Sequence, residues 1–184
     1  LFLPNDIRCQ ILTTYHSTTL EQIPEWNYDD IISKDIHTYT EVALKPVKLF
    51  YDPFRSPCDL LVWCETYNQD GTPTESNKRP YAQELFNHHH KLCPWFSLKQ
   101  EYYIIDPITN KQLGHYTKES ESEKEQSCDF NTGRNLAEIH LQMCISAKIN
   151  IRSMRKEDEP GKWRYQIGPC PNIESSDNLW ISRY

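Results

Sequence analysis

The sequence predicts an α+β fold, on three observations. Apolar, strand-like runs at 44–55 and 60–67 come before any helix and are bounded by turn residues. Helical periodicities follow at 80–91 and 131–147. The stretch 157–170 then returns to a strand pattern. There Pro160-Gly161 supplies turn chemistry, and Trp163, Tyr165 and Ile167 alternate with Arg164 and Gln166 at the two-residue period of a half-buried strand.

Taken in order, residues 7–14 (Ile-Arg-Cys-Gln-Ile-Leu-Thr-Thr) read as a first strand. Glu25-Trp26-Asn27-Tyr28-Asp29-Asp30 reads as a polar loop with one buried aromatic. The strand 44–55 is closed by Asp52-Pro53, 60–67 is a further strand, and Asp70-Gly71 is a turn. For the helix 80–91, Ser76 and Asn77 offer caps, Pro80 suits the first turn, and Tyr81, Leu85 and Phe86 form an apolar face. His88, His89 and His90 fall at its end. Consecutive helical residues point about 100° apart, so these rings suit a cationic or solvated helix end better than one metal. Residues 94–106 contain a strand, 107–110 a turn, and 118–127 a mixed-charge solvated loop. In the helix 131–147, Asn131 or Thr132 is the cap, and Leu136, Ile139 and Met143 share a face. A strand at 148–152 precedes the Pro160-Gly161 turn, and Gly168-Pro169 is expected to stop the strand after it.

Composition excludes several classes. A net charge of −6 with no basic stripe argues against a nucleic-acid or anionic-membrane binder. The 7 Cys show no C-x-x-C spacing, which argues against a zinc site or a secreted disulfide framework. Reduced thiols and a cytoplasmic location are the expectation. No apolar run approaches the ~18 residues of a membrane-spanning helix. The start, Leu1-Phe2-Leu3-Pro4, is too short for a signal peptide and lacks Met, so a fragment or a processed form is expected.

Several motifs carry a resemblance. The run Trp163-Arg164-Tyr165-Gln166-Ile167-Gly168-Pro169-Cys170 resembles the W-E-F-Q-I-G-P-C segment of eukaryotic-type glutamine synthetases. Pro94-Trp95-Phe96-Ser97-Leu98-Lys99-Gln100-Glu101-Tyr102 resembles P-W-F-G-M-E-Q-E-Y, and Glu25–Asp30 resembles E-W-N-F-D-G. Asp52-Pro53-Phe54-Arg55 matches D-P-F-R, and Pro73–Asn77 resembles P-A-E-T-N. Arg134, Glu138 and His140 match the helix R-D-I-V-E-A-H, and Glu138 and His140 are read as structural. Residues 178–184 resemble D-H-L-W-V-A-R-F. The resemblance implies a β-grasp domain at 1–79, followed at 80–184 by the first part of the catalytic α/β domain. The family joins ammonia to glutamate at the expense of ATP, with two divalent metals, Mg or Mn, clamping the transferred phosphoryl group.

The same resemblance assigns roles. Asp29 matches the aspartate that reaches into a neighbouring subunit's site and helps deprotonate ammonium. Glu101 and Glu157 match metal ligands, and Tyr165, Gln166, Ile167, Gly168 and Pro169 match the lining of the nucleotide site. Two departures stand against these matches. Arg164 occupies a ligand position of the first metal, and Lys99 that of the second. Guanidinium and ammonium groups offer only donors and cannot coordinate a metal. Further family ligands and substrate-clamping residues lie beyond residue 184. The expectation is an inactive site in which Lys99 and Arg164 act as internal counter-ions to Glu101 and Glu157. The classes in play are an active synthetase, a non-catalytic partner or regulator that associates with itself or with full-length synthetase subunits, and a structural product without a ligand.

Overall fold

The computed structural model describes residues 11, 13, 19–33, 38–56, 58–114 and 133–184, with the side chains of 29–33 and 38–40 excluded. The strand expected at 7–14, the loop at 118–127 and the caps Asn131 and Thr132 lie outside the described residues, Thr13 and Ile11 apart.

Among the described residues, two three-stranded antiparallel sheets carry three helices. In the first sheet β1 (Trp26–Ser33), β2 (Thr38–Tyr51) and β3 (Leu60–Tyr67) stand in chain order. β2 is central, yet it contains Pro46, which has no N–H to give the ladder. The strand accommodates it with a bulge: Pro46 faces Cys64 and Lys48 faces Trp63, leaving Val47 unopposed. The segment expected as the loop Glu25–Asp30 is largely β1, and Trp26 is 38 % exposed rather than buried. Pairing with β2, from Trp26 opposite Leu44 onward, outweighs the polar composition.

Helix α1 (Arg79–His88) ends in a short 3-10 turn at His90–Leu92. Neither Ser76 nor Asn77 caps it: the N-cap is Lys78, and the Asn77 amide donates instead to the Thr66 carbonyl at 2.9 Å. Strand β4 (Trp95–Tyr103) follows, then α2 (Arg134–Ser146), β5 (Ile151–Lys156), β6 (Lys162–Pro171) and α3 (Glu174–Arg183). The second sheet has the order β4-β6-β5, so the Trp163–Cys170 stretch is its central strand.

Gly168-Pro169 does not stop β6. The strand continues to Pro171 through a bulge, with Gly168 and Pro169 lying between the pairs Ile167–Leu98 and Cys170–Phe96. Gly168 sits at φ +77°, and a Cβ there would come 2.7 Å from the Phe96 carbonyl oxygen, so only glycine fits.

The core lies between the sheets and the helices. Phe50 from β2 joins Cys144, Ala147, Ile149, Tyr165, Ile167, Cys170 and Ile181. Trp63 of β3 stacks on Trp180 of α3, with ring centroids 6.4 Å apart. Helix α2 packs through small residues: Ala137 and Cys144 are buried, and Ala147 continues the row at its end. Leu136 and Ile139, expected on the apolar face, are 53 % and 50 % exposed. Small side chains allow close approach to the sheet, which turns the bulkier residues outward.

Candidate functional site

The alternation along β4 and β6 divides the second sheet into two faces. One face holds Leu98, Gln100 and Tyr102 from β4 with Trp163, Tyr165 and Ile167 from β6, and lies against the core. The other is polar. Lys99, Glu101 and Tyr103 of β4 stand opposite Gln166, Arg164 and Lys162 of β6, and Arg155 of β5 stands opposite Arg164 on its other side. The hairpin turn between β5 and β6 brings Glu157 and Glu159 over this face, and the Glu157 N–H donates to the Lys162 carbonyl at 3.0 Å.

The turn depends on Gly161. Its φ is +68°, and a Cβ would lie 2.5 Å from the Leu113 carbonyl oxygen.

Six charged residues of the polar face and its turn, Glu101, Arg155, Glu157, Glu159, Lys162 and Arg164, form one network. The Arg164 Nε approaches Glu157 Oε1 at 2.8 Å, and its other arm reaches Glu101 Oε1 at 3.7 Å. Lys162 Nζ lies 3.2 Å from Glu101 Oε2 and 2.8 Å from Glu159 Oε1. Arg155 Nε lies 3.0 Å from the same Glu157 oxygen that Arg164 holds. The Tyr103 hydroxyl donates to Glu159 Oε2. The hydrogen bond from Arg155, aided by the charges of Arg164 and Lys162, holds the Glu157 carboxyl below its ordinary range. Lys162 does the same to Glu159, while Glu159 and Glu101 push the Lys162 ammonium up.

Arg164 therefore bridges Glu101 and Glu157, as the charge argument anticipated. The second expected counter-ion is different. Among the described residues no carboxylate forms an ion pair with Lys99, whose register partner is Gln166. Lys162 takes that role because it lies two residues before Arg164, on the same face and nearer the turn that carries Glu159. Lys162, Arg155, Glu159 and Tyr103 were missed from the sequence, although the alternation 162/164/166 marks Lys162 as a neighbour of Arg164.

The five residues matched to the nucleotide lining separate. The Gln166 amide donates to Ser97 Oγ at 2.8 Å on the polar face. Tyr165 and Ile167 are 3 % and 0 % exposed on the core face, where the Tyr165 hydroxyl lies 2.9 Å from Ser182 Oγ. Gly168 and Pro169 form the bulge. Asp29 belongs to β1 in the other sheet, with its backbone opposite Glu41; its side chain lies outside the described part.

A divalent metal does not fit the residues present here. Glu101 and Glu157 both have oxygens committed to Arg164, and a guanidinium between two carboxylates repels a dication. Among the described residues no group of three or more His, Cys, Asp or Glu could hold a metal ion.

Behind the sheet, the Nε2–H of His140 donates to the Ser182 carbonyl at 2.9 Å, and its ring packs on Tyr102 and Tyr165. This agrees with a structural role. Cys144 beside it is buried, which pushes its thiol up to about 12. Iodoacetamide at pH 8 is expected to label exposed Cys58 and Cys93 in the native protein and to spare Cys144 and Cys170 until urea is added. Mass mapping of the alkylated peptides checks this. Labelling of Cys144 at the rate of Cys93 would contradict the packing.

An α+β scaffold with a polar strand face built on the W-x-x-Q-I-G-P-C and Q-E-Y segments defines a class, and relatives place the chain within it. It is 35 % identical over 172 residues to the glutamine synthetase of Candida glabrata, an alignment covering 91 % of this chain and 46 % of that protein. It is 34 % identical over 184 residues to the glutamine synthetase of Agaricus bisporus, covering 97 % and 52 %. The glutamine synthetase cytosolic isozyme of Chlamydomonas reinhardtii is 34 % identical over 183 residues, covering 91 % and 48 %. No family model matches. The chain belongs to the glutamine synthetase family and spans about half the length of the curated relatives it matches. No helix among the described residues is long and apolar enough to cross a membrane.

Proposed function

We propose that this chain is a glutamine synthetase-family protein that does not itself carry out metal-dependent ligation of ammonia to glutamate. One observation carries the reading: Arg164 lies 2.8 Å from Glu157 and 3.7 Å from Glu101, the two carboxylates that the resemblance assigns to a metal. Fixed positive charge stands where the family's ATP chemistry needs a dication to neutralise a developing phosphoryl charge. The reading also takes residues 1–79 as a β-grasp domain and 80–184 as the first part of the catalytic domain.

Binding is the sharper test, because the chain spans about half of its relatives. Titration with manganese, followed by electron paramagnetic resonance, is expected to show no stoichiometric site below millimolar concentration. Glutamyl-transfer turnover is expected to be absent as well. Stoichiometric manganese binding or turnover that is lost in Glu157→Ala would overturn the reading.

A second reading is a non-catalytic assembly partner, and exposed aromatic surface favours it. Trp95 is 62 % and Phe96 40 % exposed at the start of β4, next to Leu92 at 75 %. In such an assembly Asp29 would be the residue offered to a neighbouring synthetase subunit. Native mass measurement, alone and mixed with a full-length glutamine synthetase, tests it: a mixed oligomer supports the role, and two unmixed species refute it.

A further inference from the structure

We infer that Arg164 and Lys162 together replace a divalent cation, making the polar face a metal-independent clasp that a single substitution, Arg164→Glu, converts into a divalent-cation site. This rests on the reading above that the chain holds no metal there, and it adds which residues supply the charge and what reverses it.

Charge balance carries the argument. The network contains three cations, Arg155, Lys162 and Arg164, and three carboxylates, Glu101, Glu157 and Glu159. It is neutral as it stands, and each carboxylate has a cationic partner. Arg164 and Lys162 approach the two oxygens of Glu101 separately, at 3.7 and 3.2 Å. Arg164 also meets Glu157, so the two cations bring two positive charges to the carboxylates that a dication would otherwise bridge. The clasp ties together the β5–β6 turn, the central strand β6 and the edge strand β4.

Arg164→Glu leaves two cations and four carboxylates in the network, a net charge of −2 that one dication neutralises. Position 164 is the register partner of Glu101, and its present side chain already touches Glu157. A glutamate there would therefore stand beside two carboxylates from different segments, the oxygen-rich arrangement that Mg and Mn favour. Among the described residues Lys99 lies on the same face outside the ion pairs, so Lys99→Gln is the control.

The test uses the whole chain and manganese alone. Wild type and Lys99→Gln are expected to melt at the same temperature with manganese as with a chelator. Arg164→Glu is expected to bind manganese at least about tenfold more tightly than wild type, and to melt higher with it than with the chelator. Arg164→Glu protein that folds only when manganese is present also supports the clasp. If that variant does not fold in either buffer, Arg164→Gln decides: manganese raising its melting temperature, but not that of wild type, supports the inference, and no such rise overturns it. Stoichiometric manganese binding by wild type below millimolar concentration overturns the non-catalytic reading. Equal, weak binding by wild type and Arg164→Glu overturns only the clasp.

Discussion

Replacing Arg79 with methionine is expected to destabilise the chain by about 3–5 kcal/mol, the cost of breaking a buried ion pair from one side. Arg79 opens α1 and reaches two carboxylates from distant parts of the fold. Its NH1 donates to Glu65 of β3 at 2.8 Å, while Nε and NH2 hold Asp177 of α3 at 3.0 and 2.9 Å. Glu65 and Asp177 are 8 % and 3 % exposed, and the Arg79 side chain is 19 % exposed. Removing the guanidinium leaves two nearly buried negative charges with little water to solvate them. The Tyr67 hydroxyl donates to Glu65 at 2.7 Å but brings no positive charge. Domains of this size are stable by roughly 5–15 kcal/mol, so the loss is a large fraction of the total. Urea melts with Glu65→Gln and Asp177→Asn added to Arg79→Met check the cause: neutralising both carboxylates is expected to recover much of the loss. A single variant as stable as wild type would show that the bidentate contact contributes nothing.

Ile167→Ala is expected to cost about 2–5 kcal/mol, as large-to-small changes in packed cores do. Ile167 is 0 % exposed on the central strand β6, within the cluster that joins Phe50 of the first sheet to Ile181 of α3. The cavity would open on the central strand, between Leu98 of β4 and Ile151 of β5, where the ladder on both sides leaves little structure free to collapse into it. Gln166→Ala, one residue away on the polar face, is expected to change stability by no more than ~0.5 kcal/mol. The pair separates the core face of this segment from its polar face. Equal stability of Ile167→Ala and wild type, measured in urea, would mean that the side chain is not part of the core.

The motif segments were legible because their information is local. The alternation of Trp163, Tyr165 and Ile167 with Arg164 and Gln166 specifies two faces wherever the strand sits, and the β5–β6 hairpin formed around Pro160-Gly161 as the turn chemistry required. Strand β3 spans the expected residues 60–67. Trp26 was misread because a polar composition signals a loop only when no partner strand is on offer, and β2 is such a partner. The outward turn of Leu136 and Ile139 was hidden for a similar reason. Periodicity shows that a helix has an apolar side, but the sheet selects the small-residue row through Ala137 and Cys144 because it packs closer.

The charge site divides in the same way. That Arg164 carries the wrong sign to be a metal ligand follows from its identity alone, since a guanidinium has no lone pair to offer. The sequence also determined the α+β class, through hydrophobic period, and the family, through several motifs in fixed order. Only the tertiary structure decided that Lys162, not Lys99, completes the neutralisation. Both lie on one face, but ion pairing falls off within a few ångströms, and the hairpin turn brings Glu159 to Lys162 while Lys99 faces Gln166. It also decided that Arg79 ties β3 to α3, a contact between Arg79 and Asp177 across 98 residues that no local pattern encodes.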